Sequence, residues 1–269
     1  MFRDSFISFL DAHSLRYVAD GDLFFFVEYH LEIALVHLSD FADGAGTQSF
    51  GKFPALDRDI DRLYLYEDRW FSDGDQLRTR ILARLGRFRS LFARKCNILS
   101  GPEIAQQVAE FLDKYHAYGN AQCKHRYALI YDGEIEAVAT FSKPRPMPRE
   151  DGRTYLSFEW VRYASTPGCR VVGGMGKLMN AFLKDAVAMG DAAGMPVEVM
   201  SYSDNEWSVG DVYVKLGFRE IGERAPVRYM VDKVSYQRHS LRKFSLLGDL
   251  DGEFYEIYNR GSKKFLLKK

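Results

Sequence analysis

The sequence predicts an α/β (α+β) protein, with a mixed central sheet in a larger C-terminal domain and a smaller α/β domain in front of it. Three observations carry this. Over residues 94 to 235 the periodicities run strand, helix, three strands, helix, strand, helix, strand, an order that covers a mixed sheet with helices. Residues 1 to 93 instead group their strands first and end in one long helical pattern. The 269 residues, 46% hydrophobic and 14% aromatic, suffice for two packed cores. Residues 236 to 269 are left as a C-terminal extension.

Composition also narrows the classes of partner. The 37 basic and 37 acidic side chains cancel, so no global field recruits nucleic acid or membrane and partners must be argued from local features. Cys96, Cys123 and Cys169 are odd in number and hold no CxxC pair, which argues against a zinc site or a disulfide framework and fits a reducing cytoplasm. The N-terminus, MFRDSFISFLDAHSLRY, is broken by charges, and LFFFV (23–27) is too short to cross a bilayer; no membrane partner is expected.

In chain order, DLFFFVEYHLEIALVHLSD (22–40) holds two β-rich runs around a polar break, the pattern of a hairpin. GAGTQSFGKFP (44–54) has loop chemistry, and RLYLYED (62–68) reads as a third strand. DQLRTRILARLGRFRSLFARK (75–95) reads as one helix, with Leu77, Ile81, Leu85, Phe88 and Phe92 on its apolar face and a basic opposite face that includes Arg78, Arg84, Arg87 and Arg94. That face is either solvated surface or a patch for phosphate backbones.

CNIL then predicts a short strand, and SGPEIAQQVAEFLDKYH a helix capped by Ser100 with Pro102 and Glu103 in its first turn. YALIYDGEIEAVATFS (127–142) is a hairpin turned at Asp132-Gly133. KPRPMPRED is a proline-rich loop, YLSFEWVRYAS (155–165) a strand, and RVVGGMGKLMNAFLKDA (170–186) a glycine turn opening a helix. VEVMSYSD (197–204) is a strand, SVGDVYVKLGF (208–218) a short helix ending at Gly217, and RYMVD (228–232) the last strand.

A glycine turn at a helix N-terminus offers consecutive backbone N–H groups with no Cβ in the way and the positive dipole end behind them, which suits a diphosphate. The same residues also make a plain strand-to-helix turn. Placed between the fourth strand and the next helix, the turn resembles the GNAT superfamily of acyl-CoA-dependent N-acyltransferases, over about residues 94 to 235. Members carry an R/Q-x-x-G-x-G/A turn on the pyrophosphate of CoA, matched here by VVGGMG (171–176) through Gly174 and Gly176, with Val171 at the first position and Arg170 beside it. They also end with a helix reading Y-x-x-L-G-F, matched by Tyr213, Leu216, Gly217 and Phe218.

The resemblance implies a GNAT-type sheet and an acyl-CoA, acetyl-CoA or another, bound by Arg170, Val172, Gly173, Gly174, Met175, Gly176 and Lys177, with pantetheine between the fourth and fifth strands. Tyr213 would be the general acid to the departing thiolate, or a tyrosine packed under the last strand. Glu159 is the first choice of base, or one side of an ion pair with Arg162, with Asp204 and Glu206 the next candidates. Arg162, Ser201, Tyr202 and Glu206 are the candidate acceptor-binding residues, and no metal is expected.

Residues 159 to 218 are also similar to a GNAT-like domain of phage and bacterial proteins labelled homing-endonuclease-like, through Glu159-x-x-Arg162, VVGGMGKL, SYSDNEWSVGDVY and LGF. There the domain follows a nuclease-like segment, whose end LYLYEDRW (63–70) matches, and GEFYEIYNRGSKKF extends the likeness toward the C-terminus. The implied N-terminal domain, residues 1 to 93, resembles a PD-(D/E)xK core. Glu28 supplies one acid, but IALVHLSDF has Val36 or His37 where the next Glu belongs and no Lys two residues on, so that domain is expected to be inactive.

The expected function is therefore acyl transfer from a CoA thioester to an amine that the sequence does not identify. The alternatives are a nucleic-acid-associated protein using the Arg-rich segment 75 to 95, and a non-enzymatic GNAT-like scaffold.

Overall fold

In the computed structural model, which describes residues 1–44, 46–55, 60–246 and 253–269, the chain divides into two units assembled from separate stretches. The first comprises Met1–Leu77, Ser203–Gly210 and Glu223–Lys263, and the second Arg78–Tyr202, Asp211–Gly222 and Lys264–Lys269. The division does not follow the contiguous boundaries expected at residues 93 and 235.

In the first unit the expected hairpin pairs Leu23–Phe26 with Leu31–Val36 antiparallel, and Asp61–Tyr66 joins Leu31–Val36 in parallel. Helix Phe2–Ala12 buries Phe2, Phe6, Phe9 and Leu10, with Trp70 packed edge-on against Phe6 and Phe9. The glycine-rich stretch read as loop forms 3-10 turns at Leu38–Gly44 and Gly46–Lys52, position 45 lying outside the described residues. Glu28, the proposed nuclease acid, sits in an exposed 3-10 turn, Val27–Tyr29, and not on a strand. His37 Nε2 lies 3.0 Å from Asp22 Oδ1, an ordinary polar contact.

RYMVD does not close the sheet of the larger domain. Arg228–Asp232 belongs to a separate three-stranded sheet with Arg238–Ser240 and Phe254–Tyr258. The larger sheet is instead completed by Ser262–Lys268, inside the stretch read as an extension. Its order is Arg219–Arg224, Ser262–Lys268, Val197–Asp204, Thr154–Ser165, Glu134–Phe141, His125–Tyr131, Asn97–Ser100. Val197 and Lys269 exchange backbone hydrogen bonds at 3.0 and 2.8 Å, so the last strand runs antiparallel to its neighbour. Phe265 and Leu267 on it are 0% and 6% exposed and join the main core, an apolar content the extension had no reason to carry if it were solvated.

Three other expectations change. The helix over 75 to 95 is Gly74–Arg84 only: Gly86 takes φ +71°, and the Arg87 N–H reaches back to Leu82 O at 2.8 Å while Gly86 N–H bonds Ala83 O, a Schellman stop. Phe88 and Phe92 therefore leave its apolar face, and Phe92 is 45% exposed on a short strand, Arg89–Phe92. Ser100 ends a strand and caps nothing; a 3-10 turn, Pro102–Ile104, precedes helix Ala105–Tyr115. The proline-rich stretch contains a strand, Arg145–Pro148, paired antiparallel with Thr154–Ser157.

Each face of the central sheet has its own cluster. Leu156, Phe158 and Trp160 pack with Phe182 and Leu178 of helix Gly174–Ala193. Val138, Ala128 and Ala164 pack with Val108, Phe111 and Leu112 of helix Ala105–Tyr115. No helix among the described residues is long and apolar enough to cross a membrane.

Candidate active site

The two central strands separate where the sequence places its polar residues. Thr154–Ser165 and Val197–Asp204 run parallel from Leu156↔Val197 to Glu159↔Met200, and among the described residues the ladder ends there although both strands continue. On its other side the Thr154–Ser165 strand shifts register against Glu134–Phe141 between Trp160 and Arg162, a β-bulge that bends it at the same level. Past the ladder, side chains span the gap: Ser201 Oγ lies 3.2 Å from Trp160 O.

Tyr213 stands at this gap. Helix Asp211–Lys215 carries it, and the chain turns at Gly217 so that Phe218 N–H bonds back to Tyr213 O at 3.0 Å. Its ring stacks on Phe265 at 5.1 Å and meets Trp160 edge-on at 6.0 Å. Ser201 Oγ and the phenol oxygen are 2.9 Å apart, and the phenol donates to Tyr202 O at 3.3 Å. Burial pushes the phenol pKa up, against the lowering hydrogen bond from Ser201, so it holds its proton at neutral pH.

The glycine turn is preceded by a strand that the sequence reading missed. Cys169–Val172 pairs in parallel with Arg89–Phe92, Val171 opposite Leu91 and Val172 opposite Phe92. Val171 is buried in the core, and Arg170 is exposed with its guanidinium over the Phe88 ring at 5.3 Å. Gly173 takes φ +76° as N-cap of the 20-residue helix Gly174–Ala193, and the first in-helix bond is Lys177 N–H to Gly173 O at 2.9 Å. The N–H groups of Gly174, Met175 and Gly176 consequently have no acceptor within the helix.

The two leading glycines are required for different reasons. Gly173 is exposed, and a Cβ there would come no closer than 3.9 Å to Ala93 Cβ, so only its left-handed backbone asks for glycine. Gly174 is buried, and a Cβ there would lie 3.0 Å from Tyr163 Oη and 3.1 Å from Val171 Cβ. Lys177, read as an added charge for a diphosphate, directs its ammonium to Ala93 O at 3.0 Å and Cys96 O at 2.5 Å.

Glu159 and Arg162 share the face opposite the long helix. Among the described residues they form no ion pair within 4.0 Å, so the structural pair that the spacing allowed is not made. Arg162 instead donates from Nε to Gly119 O at 3.2 Å and from Nη1 to Val161 O at 2.9 Å, with its guanidinium 6.0 Å from the Tyr118 ring. Burial lowers its pKa, with Glu159 acting in the opposite direction. His116 on the same loop is pushed down to about 4 by burial and by the charges of Arg162 and Arg80, so it is neutral at pH 7.

Two candidates lie elsewhere. Asp204 closes a turn, its Oδ1 accepting Glu206 N–H at 2.9 Å and its carbonyl accepting Trp207 N–H at 2.9 Å. Glu206 is 3% exposed in the first unit, among Asp68, Arg238 and Tyr66, and not in an acceptor pocket. Arg238 grips Asp68 with two bonds of 2.7 and 2.9 Å and stays 3.7 Å from Glu206 Oε1. Of the arginines read as a phosphate patch, Arg78 and Arg84 lie on the shortened helix, while Arg87 follows its stop and Arg94 sits in a separate 3-10 turn over Phe92. Among the described residues these four arginines do not share one continuous helical face.

No family model matches the sequence, and no curated protein matches it. Among solved structures, the chain is similar to a Bacillus subtilis acetyltransferase in complex with CoA, at 19% identity over 65% of this chain and 99% of that one, with a TM-score of 0.33. It is similar to the ribosomal-protein-S18-alanine N-acetyltransferase of Escherichia coli at 14% identity, over 64% and 93% of the two chains, with a TM-score of 0.35. A Drosophila melanogaster polyamine N-acetyltransferase gives 12% identity, 64% and 100% coverage and a TM-score of 0.38. With TM-scores of 0.33 to 0.38, these likenesses carry no part of the functional reading, which rests on the chain's own geometry.

Proposed function

We propose that the second unit is an acyl-CoA-dependent N-acyltransferase of GNAT type. The observation that carries the reading is the end of the ladder at Glu159↔Met200, with the Tyr213 phenol bonded to the strand residues just beyond it. The open turn at Gly173, with the free amides of Gly174, Met175 and Gly176, supports the same reading as a diphosphate site. The gap where the strands part would take an extended amide chain such as pantetheine.

The thioester supplies the activated acyl group. Holding the two reactants in one cleft accounts for much of the rate by positioning. Glu159, directly or through an ordered water, takes the proton of the attacking amine; the N–C bond forms, the C–S bond breaks, and the Tyr213 phenol gives its proton to sulfur. Thioester and amine become amide and thiol, and proton exchange with solvent resets both side chains. Nothing in these steps needs a metal.

The test is Tyr213→Phe. It removes the acid and both hydrogen bonds of the phenol, so kcat should fall about 100-fold, the lower end of general acid catalysis, while CoA affinity is retained. An unchanged kcat would remove Tyr213 from the chemistry, and failure of the purified protein to bind CoA at all would end the acyltransferase reading.

A further inference from the structure

Resting on the acyltransferase reading, we infer that the acceptor is an amine that carries its own carboxylate, of the α-amino acid type, held at two points by Glu159 and Arg162. The two are three residues apart, and on a regular strand that spacing sends side chains to opposite faces. The register shift between Trp160 and Arg162 resets the alternation. Phe158 and Trp160 before it face the core under helix Gly174–Ala193, and Tyr163 after it packs on that same core, while Ala164 joins the cluster under helix Ala105–Tyr115. Glu159 and Arg162 thus come to one face, at the level where the central strands part.

Both groups have unmet capacity. The Glu159 carboxylate accepts no hydrogen bond among the described residues; its backbone alone is engaged, N–H to Ser142 Oγ at 2.9 Å and carbonyl from Ser142 N–H at 2.9 Å. The Arg162 guanidinium is fixed through Nε and Nη1 by two carbonyls, which orient it without neutralising it, and Nη2 has no partner among the described residues. A half-buried guanidinium held in this way favours an anion more than a solvated one does, because the cost of desolvation has already been met in folding. The lowered pKa of Arg162 has that cause. His116 beside it is neutral at pH 7 and adds no competing cation.

A cationic polyamine would bring its second charge toward Arg162, and a neutral amide would leave the guanidinium without an anion. A zwitterion matches both charges, with the amine at the group that removes its proton and the carboxylate at the fork of Arg162.

The experiment measures thiol release from acetyl-CoA with the free amino acids, their primary amides and spermidine as acceptors, alongside calorimetric CoA binding. The inference expects one or more free amino acids to be used with kcat/KM about 100-fold above the matching amide, as for a charged hydrogen-bonding site denied its partner. Arg162→Gln should bring the acid down to the level of the amide, chiefly through KM, while the amide changes little; Arg162→Lys should recover only part of the loss, since it keeps the charge and loses the fork. A merely structural role would depress acid and amide alike. Equal or better use of amides or spermidine by the wild type overturns the inference and leaves acyl transfer standing. CoA binding with no free amino acid acylated also overturns it, whereas no CoA binding refutes the acyltransferase reading itself.

Discussion

Glu206 was a candidate for the acceptor pocket, and its burial in the first unit makes a different and measurable prediction. The carboxyl is 3% exposed, its Oε1 has no hydrogen-bond partner among the described residues, and Arg238 Nη1 stands 3.7 Å from it. Burial, with Asp204 and Asp68 adding repulsion against the pull of Arg238 and Arg69, pushes its pKa from 4.5 up to about 7. Below pH 4.5 the group is protonated in both states; between 4.5 and about 7 only the unfolded chain releases the proton. Stability is therefore lost as pH rises through that window, and the full shift corresponds to about 3 kcal/mol at 1.36 kcal/mol per unit. Glu206→Gln removes the titration. In urea unfolding at about pH 5 and about pH 8, the stability of the variant relative to wild type should rise between the two, by roughly 2 to 3 kcal/mol. A difference that stays flat with pH, or that moves the other way, would refute the placement of Glu206 in a desolvated cluster.

Two further variants separate structural from ligand roles. Lys177→Ala deletes charged hydrogen bonds to Ala93 O and Cys96 O and should cost about 2 to 3 kcal/mol in chemical unfolding. CoA affinity should fall far less than it would for the loss of a diphosphate contact. Phe265→Ala empties a fully buried site on the last strand and should cost about 3 to 5 kcal/mol, whereas a solvated C-terminal extension would lose almost nothing.

What could be read from the sequence was local. Asp132 and Gly133 both take positive φ, +50° and +83°, as the hairpin chemistry required, and the glycine turn opens its helix where the pattern placed it. The helix over 75 to 95 was overextended because Leu85, Phe88 and Phe92 continue the apolar spacing past Gly86, and spacing does not reveal a Schellman stop. What stayed hidden depends on distant partners. Ser262–Lys268 alternates little and reads as a basic tail until its place between two strands is known. Glu159-x-x-Arg162 gave the residue types, but their common face depends on a bulge set by register against Glu134–Phe141. Arg238 and Asp68 are 170 positions apart, so no local pattern around Glu206 announced its burial.

The central claim is that the turn at Gly173 receives the diphosphate of CoA. Gly174→Asp is a poor probe of it, because a Cβ there would crowd Tyr163 and Val171 at 3.0 and 3.1 Å and loss of binding would be confounded with a shift of the packed core. Gly173 is exposed at φ +76°, where a Cβ would make only ordinary van der Waals contact with Ala93, and Asn and Asp tolerate that backbone better than other side chains. Calorimetric titration of CoA into wild type, Gly173→Asn and Gly173→Asp separates charge from shape. The account predicts binding by the wild type, a modest loss for Asn, and a loss of about 100-fold or more for Asp, whose carboxylate opposes the diphosphate at the same amides. Equal affinity for the Asn and Asp variants would contradict it.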